Sequence, residues 1–497
     1  MSDKQKITDS EHPEFKAGCE KWERFLLSYR GGAEYARSVM TMHPREDADE
    51  YAARLKRCYP DNYSQKMVDI RTSYLVKEEP KVECPSAVED YTKDLDRRGS
   101  DISAIVSRVG SESQTMGTSV IVIDRPQLNQ DVLTKADQDR IGDRPYFQIL
   151  PPTMLQNFGK DERGEIEWAL IRQAKSGSSI SVESGAPVVV ETPSPDYILW
   201  TREAYYLLDD KGNVIDEGVN PIGVVPVVLI PFKLVSDDDY GTPLLNDIEP
   251  LGRRIIENWS LLDSILHNQT FSILTVEGGI EPEKGLDPNG KPIARKKKIS
   301  TTSALEYNEG GNAPSFISPD ASQASLILGT IEALETKIYR HADLQRSAVK
   351  EGGQIASGAS KAYDFIDTNH SLRKQAAMLS SGLSRALWIF GRWLGLKDDE
   401  EKYSVTFPDD FGVETAGELV AEYKELCSTT DPPPNIIRQH LLQMYVDRRF
   451  RELPEEERSK IKKKIKDELT GDWAAVPERE PDKPETIIEP KEQEGEK

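Results

Sequence analysis

Apolar side chains recur at three- and four-residue spacing over three long stretches in the second half of the chain, and the rest of the sequence is arranged around them. The first stretch, YGTPLLNDIEPLGRRIIENWSLLDSILHNQTFSILTVEGG, sets Leu244, Ile248, Leu251, Ile255, Trp259, Leu262 and Leu266 on one helical face. Thr242 is placed to cap this helix, with Pro243 at its first position, where a missing N–H is harmless. Pro250 removes one hydrogen bond near the first turns and is expected to kink it there. A second helix follows Ser318-Pro319-Asp320, carries Leu326, Ile327, Ile331, Leu334 and Ile338, and ends near Arg346. A third runs from about Ala359 to Leu396 and closes on Trp388, Ile389, Phe390, Trp393 and Leu394. A short Gly/Pro-rich, strand-like excursion separates the first two helices and ends in Arg295-Lys296-Lys297-Lys298. The Gly-rich loop KEGGQIASGAS separates the second from the third.

The N-terminal part reads as helices over 14–40, 48–58, 61–79, 86–97 and 101–116. At Gly117 the period changes from helical to alternating. TSVIVID, YFQILPP, EIEWALIRQ, DYILWTREAYYLLD and GVVPVVLIPF read as strands, with Asp210-Lys211-Gly212-Asn213 as a hairpin turn and 175–195 as a long hairpin or loop. A β layer over 117–232 is therefore expected against the N-terminal helices, joined to the first long helix through Ser236-Asp237-Asp238-Asp239. Beyond Leu396 the pattern predicts a short strand in YSVTFPDDFG and helices over 414–427, 436–450 and 455–469. The Pro/Glu/Lys-rich tail from about Trp473 lacks core residues and is expected to stay disordered. The fold class is α+β, mainly helical.

At 497 residues the chain is too long for a single core. Its content, 37% hydrophobic and 30% charged, is that of a polar globular protein with no membrane-length apolar run. No charged segment followed by an apolar one opens the sequence, so an unsecreted protein is expected. Cys19, Cys58, Cys84 and Cys427 lack CxxC spacing and read as reduced thiols, and the six histidines form no metal-binding pattern. A net charge of -22 argues against a general nucleic-acid binder. It does not exclude a protein that DNA slides past, because a surface that repels phosphate lowers friction.

The succession of NYSQKMVDIRTSYLVKEEPKV, the first long helix and the helix-and-loop from Pro319 to Ser360 resembles the portal proteins of tailed bacteriophages, in the group with a portal-like domain of otherwise unassigned function. The likeness lies in the order of the pieces across 14–470 and in no single motif. It implies a wing from 1–241 and again from 361–411, stem helices at 242–270 and 319–346, a clip at 271–318, a channel loop at 347–360 and a helical crown at 412–470, followed by the acidic tail 471–497. It further implies a homo-oligomeric ring of about twelve copies around double-stranded DNA at the unique capsid vertex, assembled in the host cytoplasm. The implied partners are the terminase large subunit, a head–tail adaptor or tail proteins, and the major capsid and scaffold proteins, with no membrane. The alternatives are another phage head structural or adaptor protein, or a DNA-processing enzyme component.

On that resemblance, Lys350, Glu351, Gly352, Gly353 and Gln354 are candidates for the channel loop, with a plain helix–helix connection as the other reading. A phosphate-binding loop needs Lys-Ser or Lys-Thr after the last glycine and a strand before the first, and neither is present. Arg295, Lys296, Lys297 and Lys298 are either a contact for DNA, motor or adaptor, or a solvated turn. Arg253, Arg254, Arg340 and Arg346 line the channel, form inter-subunit pairs or merely solvate the helices. Trp388, Phe390 and Trp393 read as core packing, and the Asp237–Asp239 and Asp398–Glu401 runs as solvated loops. No catalytic constellation, metal site or cofactor is expected, so the chain is not read as an enzyme.

Overall fold

The computed structural model describes residues 6–44, 46–59, 61–125, 143–173, 178–183, 186–191, 196–236, 238–269, 273–275, 283–286, 292–295, 315–317, 322–344, 358–408, 410–411, 435–450 and 455–470, with a few isolated positions between 420 and 453. Helices and sheets are mixed, and the chain divides into two compact units, Met1–Phe411 and Gly412–Lys497.

In the first unit, helices α1 (Pro13–Arg30), α2 (Gly32–Val39), α3 (Ala48–Arg57) and α4 (Tyr63–Leu75) come first. The helix expected over 14–40 is broken at Gly31, which takes φ 65° while its N–H donates to the Leu27 carbonyl. Only glycine adopts that backbone freely, and the Asn62 side chain fills the space where a Cβ would sit. Strand β1 (Lys81–Glu83), the single turn α5 (Ser86–Glu89) and α6 (Ile102–Met116) follow. The helix expected to reach residue 97 stops early because Asp94 and Asp96 accept the backbone N–H groups of Gly99, Arg98 and Ser100, a local alternative to the helical ladder.

The strands of the layer are β2 (Thr118–Asp124), β3 (Tyr146–Leu150), β4 (Leu155–Lys160), β5 (Ile166–Arg172), β6 (Ser178–Glu183), β7 (Ala186–Glu191), β8 (Tyr197–Thr201), β9 (Ala204–Leu208), β10 (Val214–Val219) and β11 (Val227–Pro231). They form antiparallel sheets in the orders β11-β2-β3 and β10-β9-β8-β5-β4, with β6 and β7 as a separate hairpin. Every residue of β2 but the last is buried, which explains its unbroken β-branched run.

Helix α7 (Leu245–Gln269) leads to the short ladder strands β12 (Ile273–Thr275), β13 (Glu283–Leu286), β14 (Pro292–Arg295) and β15 (Ser315–Ile317). Strand β12 pairs with β15, and β13 with β14. Helices α8 (Ser322–His341) and α9 (Gly358–Trp393) follow, then β16 (Ser404–Thr406), which pairs with β1. Helix α7 starts three residues after Thr242. The Thr242 N–H donates to the Lys233 carbonyl and the Leu244 N–H to that of Gln114, so these residues dock the chain onto the layer and do not cap the helix.

Four apolar cores lie among the described residues of this unit, and two of them hold the long helices. In one, Leu372, Leu379, Leu383 and Phe390 of α9 pack on Ile105 and Val109 of α6 and on Ile121 and Ile123 of β2. Phe390 is wholly buried, and the indole N–H of Trp393 donates to the Ile123 carbonyl at 2.9 Å, so the aromatic end of α9 is core. In the other, Met67 and Val68 of α4 meet Leu245, Ile248 and Ile255 of α7 and Ile331 and Ile338 of α8. The second unit contains α10 (Asn435–Arg449) packed on α11 (Glu455–Thr470).

Candidate functional site

Helices α7 and α8 pack against each other and are joined at one end by the antiparallel β12–β15 ladder. Their inner faces are apolar and buried. One flank of α7 is pinned by polar contacts to the N-terminal helices: Arg57 to Asp263 at 3.0 Å, Arg54 to Ser260 at 3.2 Å and Thr41 to Glu257 at 3.2 Å. Tyr63 of α4 donates to Glu335 of α8 at 2.6 Å. Glu249 is fully buried and accepts from the Tyr35 hydroxyl at 3.0 Å, with the Arg24 guanidinium 3.5 Å from its other oxygen. Burial and this carboxylate push the Tyr35 hydroxyl well above the ordinary phenol value. The outer faces are different. Trp259, Leu261 and Leu266 of α7 and Leu326 and Leu328 of α8 are exposed, Leu326 to 73%.

A buried polar node closes the end of the pair remote from the ladder. Arg71 is 0% exposed. Its guanidinium donates to the Ala342 carbonyl just past α8 at 2.7 Å, to Gln114 of α6 at 3.2 Å and to Ser371 of α9 at 3.0 Å, and stacks over the Phe232 ring. Asp343, with φ 51°, offers a carboxylate oxygen at 3.7 Å. Burial lowers the Arg71 pKa to about 10, which leaves the side chain charged at neutral pH. One cation thus ties α4, α6 and α9 to the end of α8. An isolated arginine on an otherwise ordinary amphipathic helix carries no sequence signal for this.

A second node holds the approach to α7. The His12 Nε2 lies 3.1 Å from an Asp239 carboxylate oxygen, and its ring stacks on Phe158 at 4.9 Å. Glu14 accepts the N–H groups of Asp239 and Tyr240 at 3.0 and 2.8 Å. The candidate ligand atoms of His12, Glu14 and Asp239 lie within 4.8 Å of one another. Both Glu14 oxygens are committed to backbone donors, and the Lys160 ammonium pairs with Asp239, so a cation already meets the charge of this cluster. Asp239, expected in a solvated hinge, is instead part of a latch between α1, β4 and the start of α7.

Among the expected site residues, Arg253 is half-buried beside the Tyr35–Glu249 pair. Arg254 is exposed and pairs with Glu257 at 3.1 Å, and Arg340 is exposed in the last turn of α8. Arg295 ends β14, where it pairs in register with Glu283. Arg346, Lys296, Lys297, Lys298 and the whole of Lys350, Glu351, Gly352, Gly353 and Gln354 lie outside the described residues.

No family model matches the chain, and no curated protein matches it. It is similar to chains in solved structures of gene transfer agent (GTA) particles. A chain of the native GTA neck, computed with C12 symmetry, aligns at TM-score 0.43 and 11% identity over 82% of this chain and 98% of that one. A chain of the native GTA virion aligns at TM-score 0.40 and 10% identity, and one of the empty-particle neck at 0.38 and 10%, with the same coverage. Likeness this loose carries no conclusion about function.

Proposed function

We propose that the chain is a portal-type subunit of a tailed-phage head. About a dozen copies close a ring at the unique capsid vertex, and the genome passes through it during packaging and ejection. The observation that carries this reading is the pair α7–α8, whose outer faces leave Trp259, Leu266 and Leu326 uncovered. Large apolar side chains aligned on exposed helices are stabilised by burial against another protein surface. The uncovered residues of α7 and of α8 differ, so a contact between the two kinds of face in successive copies is heterologous and closes into a ring when the rotation allows. Neighbouring helix pairs then enclose the channel, and the acidic character of the chain keeps DNA from sticking to its wall.

In this reading α7 and α8 form the stem, 271–318 the clip, 347–360 the channel loop and 412–470 the crown. The clip, with Arg295 to Lys298, docks the terminase large subunit and later the adaptor or tail. Capsid and scaffold proteins meet the wing. The subunit itself does no chemistry; ATP turnover belongs to the terminase.

Native mass spectrometry tests the proposal. The wild-type chain is expected to give closed rings of about twelve copies, and the double variant Trp259→Glu/Leu326→Glu to give a folded monomer, because each buried carboxylate would be desolvated without a partner. A wild-type chain that stays monomeric even with its capsid and scaffold proteins overturns the reading.

A further inference from the structure

Strand β10 ends the five-stranded sheet, and among the described residues it pairs with β9 alone. The sheet's other end is covered. There the His12 N–H donates to the Gln156 carbonyl of β4 at 3.0 Å, and the Gln156 amide donates to the Thr8 and Ser10 carbonyls at 2.7 and 2.8 Å. At β10 the Asn220 N–H donates to the Glu203 carbonyl at 2.8 Å. Ladder alternation from that bond turns the N–H and carbonyl of Val219, and the carbonyl of Glu217, away from β9. The Glu217 N–H is taken by the Asp216 carboxylate at 2.9 Å. Val214, Ile215 and Val219 stand in solvent, at 54%, 58% and 78% exposure. Open main-chain groups beside uncovered β-branched side chains make an edge that a further strand can join.

Charge decides which strand. Asp216 and Glu217 are exposed within β10, and Asp210 and Glu203 are exposed in the turns at its two ends. The neighbouring bases are Lys6 and Lys211 at one turn and Arg202 at the other, where Arg202 already pairs with Asp161 at 2.6 Å. The body of the strand is therefore acidic. Two such edges brought together would set like charges against each other, which disfavours a second copy as the partner. A strand with basic residues at alternate positions instead gains a cross-strand partner for each carboxylate, and its apolar residues cover the exposed valines. We propose that the open edge of β10 binds, by main-chain pairing, an extended segment of another protein in which apolar and basic residues alternate. The proposal stands apart from the ring reading, whose contact lies on α7 and α8.

The test uses the full chain and three short synthetic peptides, with binding read by fluorescence anisotropy. One peptide alternates valine with lysine, one alternates valine with glutamate, and one is the valine–lysine peptide with every backbone nitrogen methylated. The first is expected to bind and the other two are not. In Asp216→Asn/Glu217→Gln, affinity for the first peptide is expected to fall roughly 2- to 30-fold, for two cross-strand charge pairs. Hydrogen exchange read by mass spectrometry is expected to slow at β10 when that peptide is present. Far-UV circular dichroism checks that the variant is folded. No binding of the valine–lysine peptide, or equal binding of its methylated form, overturns the proposal. So does unchanged affinity in the variant, because a polycation adhering to an acidic surface needs neither strand pairing nor these two carboxylates. Exchange at β10 that slows without peptide, as copies associate in native mass spectrometry, makes a second copy the occupant and likewise overturns it.

Discussion

At the scale of single residues, buried cations organise the molecule. Arg54 illustrates the arrangement. Its guanidinium forks onto both oxygens of Glu46 at 2.7 and 2.6 Å, donates to the Thr41 carbonyl at 2.8 Å and reaches Ser260 on α7. These hydrogen bonds hold the Glu46 carboxyl below its ordinary value of 4.5. A carboxylate with a depressed folded-state pKa contributes stability that is complete above its unfolded pKa and is lost as pH falls through the folded one. The stability gap between wild type and Glu46→Gln is therefore expected to be constant from pH 7 down to about 5 and to shrink at more acidic pH, as urea denaturation across that range would reveal. A gap independent of pH would mean that the pair does not couple to protonation. None of this was legible in the sequence. Arg54 and Arg71 look like any solvent-facing arginine until distant residues surround them, and Arg71 draws its partners from 271 and 300 residues away.

At the scale of elements, the helical and alternating periods locate α4, α6, α8 and α9 and the strands β2, β3, β5 and β11, whereas β4 was not expected and β8 and β9 read as one run. The boundaries depend on contacts the periods do not contain. The start of α7 is the clearest case, because the backbone at Gly117 and Gly241 comes together where the layer meets the helix. Gly117 sits at φ 88°, and a Cβ on it would lie 1.9 Å from the Gly241 carbonyl oxygen. The Phe232 N–H donates to the Gly117 carbonyl at 2.7 Å, and the Gly241 N–H to the Thr118 hydroxyl at 2.7 Å. Gly117→Ala must strain its own backbone and push the α7 approach away, so a loss of about 3 kcal/mol or more is expected in equilibrium denaturation. A loss under about 1 kcal/mol would show that the junction yields. The long helix pair itself was legible, since apolar positions repeat at helical spacing from Leu244 to Leu266 over its first member. The outward exposure of Trp259 and Leu266 was not, because the same repeat describes both the buried and the uncovered side of a helix with a wide apolar face.

At the scale of the whole molecule, the chain separates between Phe411 and Gly412. The first unit owns the cores around α9 and around α7–α8, including Phe411 itself, which is 1% exposed. A chain ending at Phe411 is expected to unfold cooperatively with a midpoint within a few degrees of the main transition of the full chain, measured by calorimetry. A broad, non-cooperative transition in the shortened chain would make the two units a single folding body. Helices α10 and α11 of the second unit were also legible in the sequence, while most of the helix expected over 414–427 and the tail from Trp473 lie outside the described residues.

The sequence by itself determined most of the succession of elements, the mixed α and β character, the acidic balance and the core role of Trp388, Phe390 and Trp393. Those properties are local: they follow from periodicity, propensity and composition, which neighbours in the chain decide. The tertiary structure alone decided which cations are buried, where Thr242 and Asp239 make their hydrogen bonds, and which apolar faces remain open. Those outcomes depend on contacts between separate elements, several of them hundreds of positions apart in the chain, and no local pattern encodes the partner that a side chain finds there.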